Sequence, residues 1–167
     1  MASRLTIAPL RPEDYPAAAE VYLKSRHFLL DISGEAEEEL GLPMVFKEAA
    51  DSQAHGAVFA GIRLKKTGHM VGVAVYEPSG HEGNSGMAWL ALLMIAEPYH
   101  RQGYGTEACL LLEEAIFADS RVNTIRLAVL VNNPDALSFW RRMGYRELLT
   151  RKSLDGAHEV TEMEKQR

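Results

Sequence analysis

The sequence has a single cysteine, Cys109, so no disulfide can close within the chain and no thiolate cage can hold a metal. Its neighbours Ala108, Leu110, Leu111 and Leu112 describe a buried, unreactive thiol. The six histidines are scattered without ligand spacing, and no metal is expected. Long hydrophobic runs are missing as well. The longest, Met87 to Ala96, has the length of a strand and falls far short of the roughly 20 residues a bilayer span requires. Met1 to Leu5 carries Arg4 with no apolar segment behind it, so no secretory signal is read there. A cytoplasmic location without a membrane partner is the expectation. Basic charge is scarce too: 18 Lys and Arg stand against 23 Asp and Glu, a net charge of −5. That balance argues against a nucleic-acid partner, because phosphate affinity comes from clustered Lys and Arg. Arg141, Arg142, Arg146, Arg151 and Lys152 are grouped, and read as a local solvated helix face and strand edge.

What is present is ordinary globular material. The 167 residues are nearly half apolar and a quarter charged, enough for one domain over residues 1–167 with its own core. Leu5 to Ala8 reads as a first strand closed by Pro9 and Pro12. Pro12 to Arg26 reads as a helix with Ala18, Val21, Tyr22 and Leu23 in an apolar stripe. In His27 to Gly41, Ser33 stands as a possible helix cap before Glu35 and Glu37 to Glu39, and a short helix follows from Pro43 to about Ser52. Val58 to Leu64 and Met70 to Tyr76 form a hairpin around Thr67-Gly68. After a loop from Pro78 to Gly86, Ala88 to Ile95 is so continuously apolar that a central strand covered on both faces is expected. Thr106 to Asp119 reads as a helix burying Leu111, Leu112, Ala115 and Ile116. A strand over Thr124 to Val131 and a helix over Pro134 to Met143 come next. Tyr145 to Arg151 and Glu159 to Lys165 then pair across Asp155-Gly156. Hairpins followed by strand–helix–strand–helix predict a mixed α/β fold with helices on both faces of one sheet.

The segment that carries chemistry joins the central strand to the long helix: His100-Arg101-Gln102-Gly103-Tyr104-Gly105-Thr106. Glycine lets backbone N–H groups approach a ligand with no Cβ in the way. A helix's first turn leaves its amides unpaired at the positive end of the macrodipole. Together they suit a pyrophosphate, to which Arg101 adds charge. No Lys-Ser/Thr follows the second glycine and the three-glycine dinucleotide spacing is absent. By itself the turn reads equally well as a tight strand-to-helix connection.

On these residues the chain resembles the GCN5-related N-acetyltransferase (GNAT) family, whose cradle runs Arg or Gln, two residues, Gly, one residue, Gly or Ala. His100, Gly103 and Gly105 fall on those positions, and His100 departs from the pattern. A second family element, a strand followed by Asn, Ala, an aromatic and a Gly-aromatic pair, is matched by Val129, Asn133, Ala136, Trp140, Gly144 and Tyr145. The resemblance covers residues 88–145 and implies a central mixed sheet of about seven strands, two parallel neighbours splayed to take acyl-CoA. It implies that the main chain of Leu93, Met94 and Ile95 binds pantetheine, with Ile95 as a backbone oxyanion donor. Residues His100, Arg101, Gln102, Gly103, Tyr104, Gly105 and Thr106 would hold the pyrophosphate, and Asn133 and Trp140 would line the cofactor. Acetyl-CoA is the implied co-substrate.

Three points stay open. Where many relatives place a glutamate in the central strand this chain has none, which leaves Glu77, His81, Glu97 or a water relay as the base. Where relatives place an acid tyrosine it has Trp140, so Tyr99, Tyr104 or Tyr145 substitutes, or the thiolate leaves unassisted. Trp89 reads as core. The acceptor is expected to be a primary amine on a small molecule, entering over the first helix, residues 27–41 and the 78–86 loop. The alternatives are a protein N-terminal (ribosomal-protein-type) acetyltransferase accepting a peptide amine, and a non-catalytic acyl-CoA-binding module. A homodimer is possible for the family.

Overall fold

The computed structural model describes residues 2–167. Seven strands form one sheet: β1 (Leu5–Pro9), β2 (Val58–Leu64), β3 (Met70–Glu77), β4 (Met87–Ile95), β5 (Thr124–Leu130), β6 (Arg146–Lys152) and β7 (Glu159–Gln166). Their order is β1-β2-β3-β4-β5-β7-β6, antiparallel except for the single parallel pair β4·β5. The helices α1 (Tyr15–Leu23) and α2 (Leu42–Ala54) cover one face, α3 (Tyr104–Phe117) and α4 (Pro134–Arg142) the other. Each face has its own core. Val21, Tyr22 and Val45 meet Val73, Val75 and Met94 on the first. Ala108, Cys109, Leu112 and Trp140 meet Ala88, Leu90, Ile125 and Met163 on the second.

Local chemistry sets the helix ends. Asn133 Oδ1 accepts the Ala136 N–H at 3.2 Å, Pro134 occupies the first turn, and Arg141 and Arg142 sit at the negative end of α4. The helix stops in a Schellman turn: Tyr145 N–H donates to Trp140 O and Gly144 N–H to Arg141 O, with Gly144 at φ +92°. Here a side chain would be strained.

Several expectations need correction. The first helix is interrupted: Pro12–Asp14 is one 3-10 turn, α1 starts at Tyr15, and it ends at Leu23, where the Ser25 hydroxyl turns back onto Val21 O at 2.7 Å. Ser33 closes a helical segment instead of opening one. His27–Ile32 is π-helical, the Ser33 N–H donates to Phe28 O, and Gly34 at φ +71° ends the turn. The glutamates after it form only a single 3-10 turn, Glu37–Glu39. The α3 helix begins at Tyr104 and buries Ala108, Cys109, Leu112, Glu113 and Ile116, leaving Ala115 exposed. Trp89 is half-buried and stacks on His81 with ring centroids 4.5 Å apart. The apolar β4 is buried over Met87, Ala88 and Leu90, but Ala91 is exposed and Leu92 and Leu93 only half-buried.

That change follows from a bulge. Val75 opposes Leu92 while Tyr76 opposes Leu90, so Ala91 is an extra residue in β4. Ala88 and Leu90 point toward α3 and α4 before it, and Leu93 and Ile95 do so after it. Without the bulge, Leu92 and Met94 would take that side.

Candidate active site

The parallel pair is short. Met87, Ala88 and Trp89 of β4 lie in register with Thr124, Ile125 and Arg126 of β5, and the strands then separate. Between them runs a cleft of about 440 Å³ lined by residues 90–95 and 127–130. Asn133 with Ala136 and Trp140 of α4 close one side, and Ser25, His27, Phe28 and Ile32 close the other. A second cavity of about 280 Å³ continues from it past Leu93, Ile95 and Trp140 to Tyr99, Arg101, Gly103, Tyr104 and Gly105.

Ladder geometry decides which main-chain groups face this gap. The Ala96 N–H donates to Val71 O, and groups alternate along a strand, so Met94 turns its amide and carbonyl toward β3. Leu93 and Ile95 turn theirs toward the gap. The expectation that Met94 contributes main chain there is corrected: its amide and carbonyl belong to the sheet and its side chain to the α1/α2 core. Opposite, the Val131 N–H donates to Glu159 O, which leaves Ala128 and Leu130 facing the gap, with the Leu130 carbonyl accepting the Asn133 N–H.

At the far end, Gly103 sits at φ +81° as the residue before α3, and no side chain caps the helix. The first intrahelical bond is Glu107 N–H to Gly103 O. Among the described residues nothing accepts from the amides of Gly103, Tyr104, Gly105 or Thr106. Four donors converge with the helix dipole behind them, the arrangement an anion needs. Gly105 contributes differently: a Cβ there would meet Phe139 only at 3.6 Å, an ordinary contact.

Five residues in or beside this cradle are placed as follows. His100 Nε2 lies 2.6 Å from Ile95 O, donating to that carbonyl from within the cleft. Arg101 is exposed at φ +61°, a region that favours glycine, and its main chain turns sharply into the loop. Gln102 Nε2 donates to Pro98 O at 3.2 Å. Asn133 lines the cleft while its carboxamide caps α4. Trp140, only 8% exposed, contacts both cavities and packs edge-on against Phe139 and Tyr145.

Of the candidate bases, two lie outside the cleft and the third is engaged. Glu77 ends β3 with Oε2 3.4 Å from His81 Nδ1, and neither residue lines the cleft. Glu97 does line it, but its carboxylate accepts the His27 N–H at 2.7 Å and its own N–H donates to Lys24 O. It therefore ties the end of α1 to the end of β4. Of the tyrosines, Tyr99 and Tyr104 line the second cavity. Tyr145 is buried, and burial first, then the nearby Cys109 and Glu113, push its phenol well above the usual tyrosine range. It is a poor acid.

Sequence reasoning missed four residues here. Asp135 lines both cavities. Asn132 Nδ2 donates to Ile32 O at 3.1 Å, bridging the cleft mouth. Arg4 and Ser3 bond Glu107 behind the cradle. The Asn132-Asn133-Pro134 run was a usable signal; Arg4 and Glu107, 103 residues apart, offered none.

A mixed sheet whose one parallel pair opens into a cleft ending at free helix-start amides is the architecture that the resemblance implied for an acyltransferase. The sequence profile of the acetyltransferase (GNAT) family matches residues 17–145, and the chain belongs to that family. It is an acetyltransferase whose co-substrate is acetyl-CoA. No curated protein matches it in sequence. Among solved structures it is similar to an acetyltransferase from Thermus thermophilus, at 23% identity and TM-score 0.75 over 99% of this chain and 100% of that one. It is also similar to the ribosomal-protein-S18-alanine N-acetyltransferase of Escherichia coli, at 21% identity and TM-score 0.69 over 96% and 92%. A third is the PaiA N-acetyltransferase of Thermoplasma acidophilum in complex with coenzyme A, at 20% identity and TM-score 0.68 over the whole of both chains. These likenesses concern the fold.

Proposed function

We propose that the chain transfers an acetyl group from acetyl-CoA to a primary amine on a small molecule, within a single domain and a ternary complex. The observation that carries the reading is the set of main-chain donors left free along one continuous path. The Leu93 and Ile95 amides lie along the gap, and those of Gly103, Tyr104, Gly105 and Thr106 lie at its end. Unpartnered amides beside a cavity ask for a ligand with acceptors at matching intervals, and pantetheine with a pyrophosphate is such a ligand.

Bound there, acetyl-CoA supplies the thioester whose carbonyl carbon the amine attacks and whose carbon–sulfur bond breaks. The protein's share is positioning and charge. The Ile95 N–H, with its carbonyl occupied by His100, remains a single-purpose donor for the oxygen that gains charge. Gly103, Tyr104, Gly105 and Thr106 take the pyrophosphate, Arg101 and Gln102 flank it, and Asn133 and Trp140 wall the arm. The amine attacks neutral, and its proton leaves through water, since Glu97 is engaged by the His27 N–H and Glu77 lies outside the cleft. The thiolate departs unassisted; an ordinary thiol pKa of about 8.5 makes it a fair leaving group. The Asn132–Ile32 bridge favours an acceptor presented end-on over the surface of a folded protein.

The test mixes the protein with acetyl-CoA and pools of small amines or of peptides while free thiol is monitored. Thiol release with small amines supports the reading. Release with peptides alone would move the assignment to a protein N-terminal acetyltransferase. Tight coenzyme A binding with no release against either pool would reduce the chain to a binding module.

A further inference from the structure

The residue just before β1 touches the phosphate loop from behind. The Arg4 carbonyl accepts the Lys65 N–H at 2.9 Å, which fixes that residue to the end of β2. From this anchor its Nε donates to Glu107 Oε2 at 2.9 Å and its Nη2 to the Gln102 carbonyl at 3.1 Å, while its main-chain N–H also bonds the Glu107 carboxylate. The guanidinium lies 4.3 Å from the centre of the Tyr104 ring. A Cβ placed on Gly103 would come within 3.3 Å of Nη2. The Ser3 hydroxyl adds a 2.7 Å bond to Glu107 Oε1. One side chain thus contacts Gln102, Tyr104 and Glu107 and fills the space a side chain at Gly103 would take.

We infer that Arg4 is a positioning residue for the diphosphate end of coenzyme A, acting through the Glu107 carboxylate and the Gln102 carbonyl to hold the four free amides convergent. The inference rests on the cradle reading above. The family resemblance places an Arg or Gln at the first position of the loop, where this chain has His100, and that imidazole is committed to the Ile95 carbonyl. The outer wall of the loop is instead held by Arg4, from the segment just before β1. A planar fork suits this task, since it reaches a carboxylate and a carbonyl at once, which an ammonium at one point cannot do equally well. The pair is also electrically settled. Burial pushes the Glu107 carboxyl up, but the hydrogen bonds from Ser3 and Arg4 outweigh it and hold the group below the usual glutamate range.

The experiment compares binding of coenzyme A with that of S-acetylpantetheine, which lacks the diphosphate, to the wild-type chain and to R4M, R4K and E107Q. Arg4→Met keeps the packing stem over Tyr104 and removes the fork. It should weaken coenzyme A by about tenfold, raise KM for acetyl-CoA by the same factor and leave kcat and S-acetylpantetheine binding unchanged. Arg4→Lys should recover part of the loss. Glu107→Gln decides between positioning and bare charge. Removing a negative charge near the cradle would tighten coenzyme A if Arg4 acted only through the local field, whereas loosening the clamp weakens it. Unchanged or tighter binding in E107Q, or equal losses for both ligands in R4M, overturns the inference. Wild-type protein that fails to bind coenzyme A at all overturns the cradle reading itself, a separate outcome.

Discussion

The two halves of β4 are made of the same material and do different things. Met87, Ala88 and Trp89 lie in register with β5, Trp89 and Leu90 with β3, and Met87, Ala88 and Leu90 are buried, Ala88 wholly. Leu92 to Ile95 are equally apolar but paired to β3 alone, because β5 has turned away. Buried backbone amides without partners are costly, so an open half-ladder of this kind is stable only beside water or a ligand. Hydrophobicity marks a strand as interior; whether β5 or an open gap lies beside it decides whether its main chain is spent on the sheet or left free.

The sharpest way to break the comparison is a charge in the paired half. Ala88→Asp should prevent folding, since an unpaired carboxylate would replace a methyl that is 0% exposed; circular dichroism would show the loss of structure. In the open half the effect should fall on binding. Gly103→Val forces a branched side chain to φ +81° and against Arg4, and calorimetry should find coenzyme A weakened at least about a hundredfold in a chain that still folds. On the fully paired side, Glu164 of β7 is held by Arg126 and Arg146. Burial pushes its carboxyl up, and those hydrogen bonds more than reverse the shift. A depressed folded-state value means the contribution is present above the ordinary glutamate pKa of about 4.3 and lost as pH falls through the folded value. Acid unfolding followed by fluorescence should therefore lose part of its pH dependence in E164Q, with coenzyme A affinity at neutral pH unchanged.

Smaller effects belong to the cleft walls. Trp140→Phe keeps an aromatic wall and should retain turnover within about threefold, because an indole donates a hydrogen bond but is too weak an acid to be missed as one. A large fall in kcat at unchanged acetyl-CoA affinity would contradict this. Gly105→Ala should be the mildest: its Cβ has room at 3.6 Å from Phe139 and its φ is helical, so stability should rise by about 0.5 kcal/mol with coenzyme A affinity kept. A drop in affinity would mean that ligand, not Phe139, fills the space beside residue 105.

Much of this was legible in the sequence, for reasons that differ by element. The strands, the hairpin at Thr67-Gly68 and the α3 and α4 helices follow from periodicity, caps and turn residues that act over a few positions. The glycine turn with free amides before α3 was legible because its geometry is main chain and glycine records it. The bulge at Ala91 was not, since inserting one residue in an apolar run leaves the hydropathy unchanged while exchanging the faces of everything after it. Nor could the apolar run tell Met94 from Leu93 and Ile95, whose difference lies in which way an amide points. The π-helical His27–Ile32 segment is held by Glu97 and Asn132 from distant elements, and no local propensity announces it. Arg4 escaped for the same reason.

The most direct measurement follows the backbone amide resonances of Gly103, Tyr104, Gly105 and Thr106 during titration with coenzyme A and with S-acetylpantetheine. The account expects all four to shift strongly with coenzyme A and to stay nearly still with the ligand that lacks a diphosphate, while Leu93 and Ile95 respond to both. Saturating coenzyme A that leaves the four amides unmoved would contradict it.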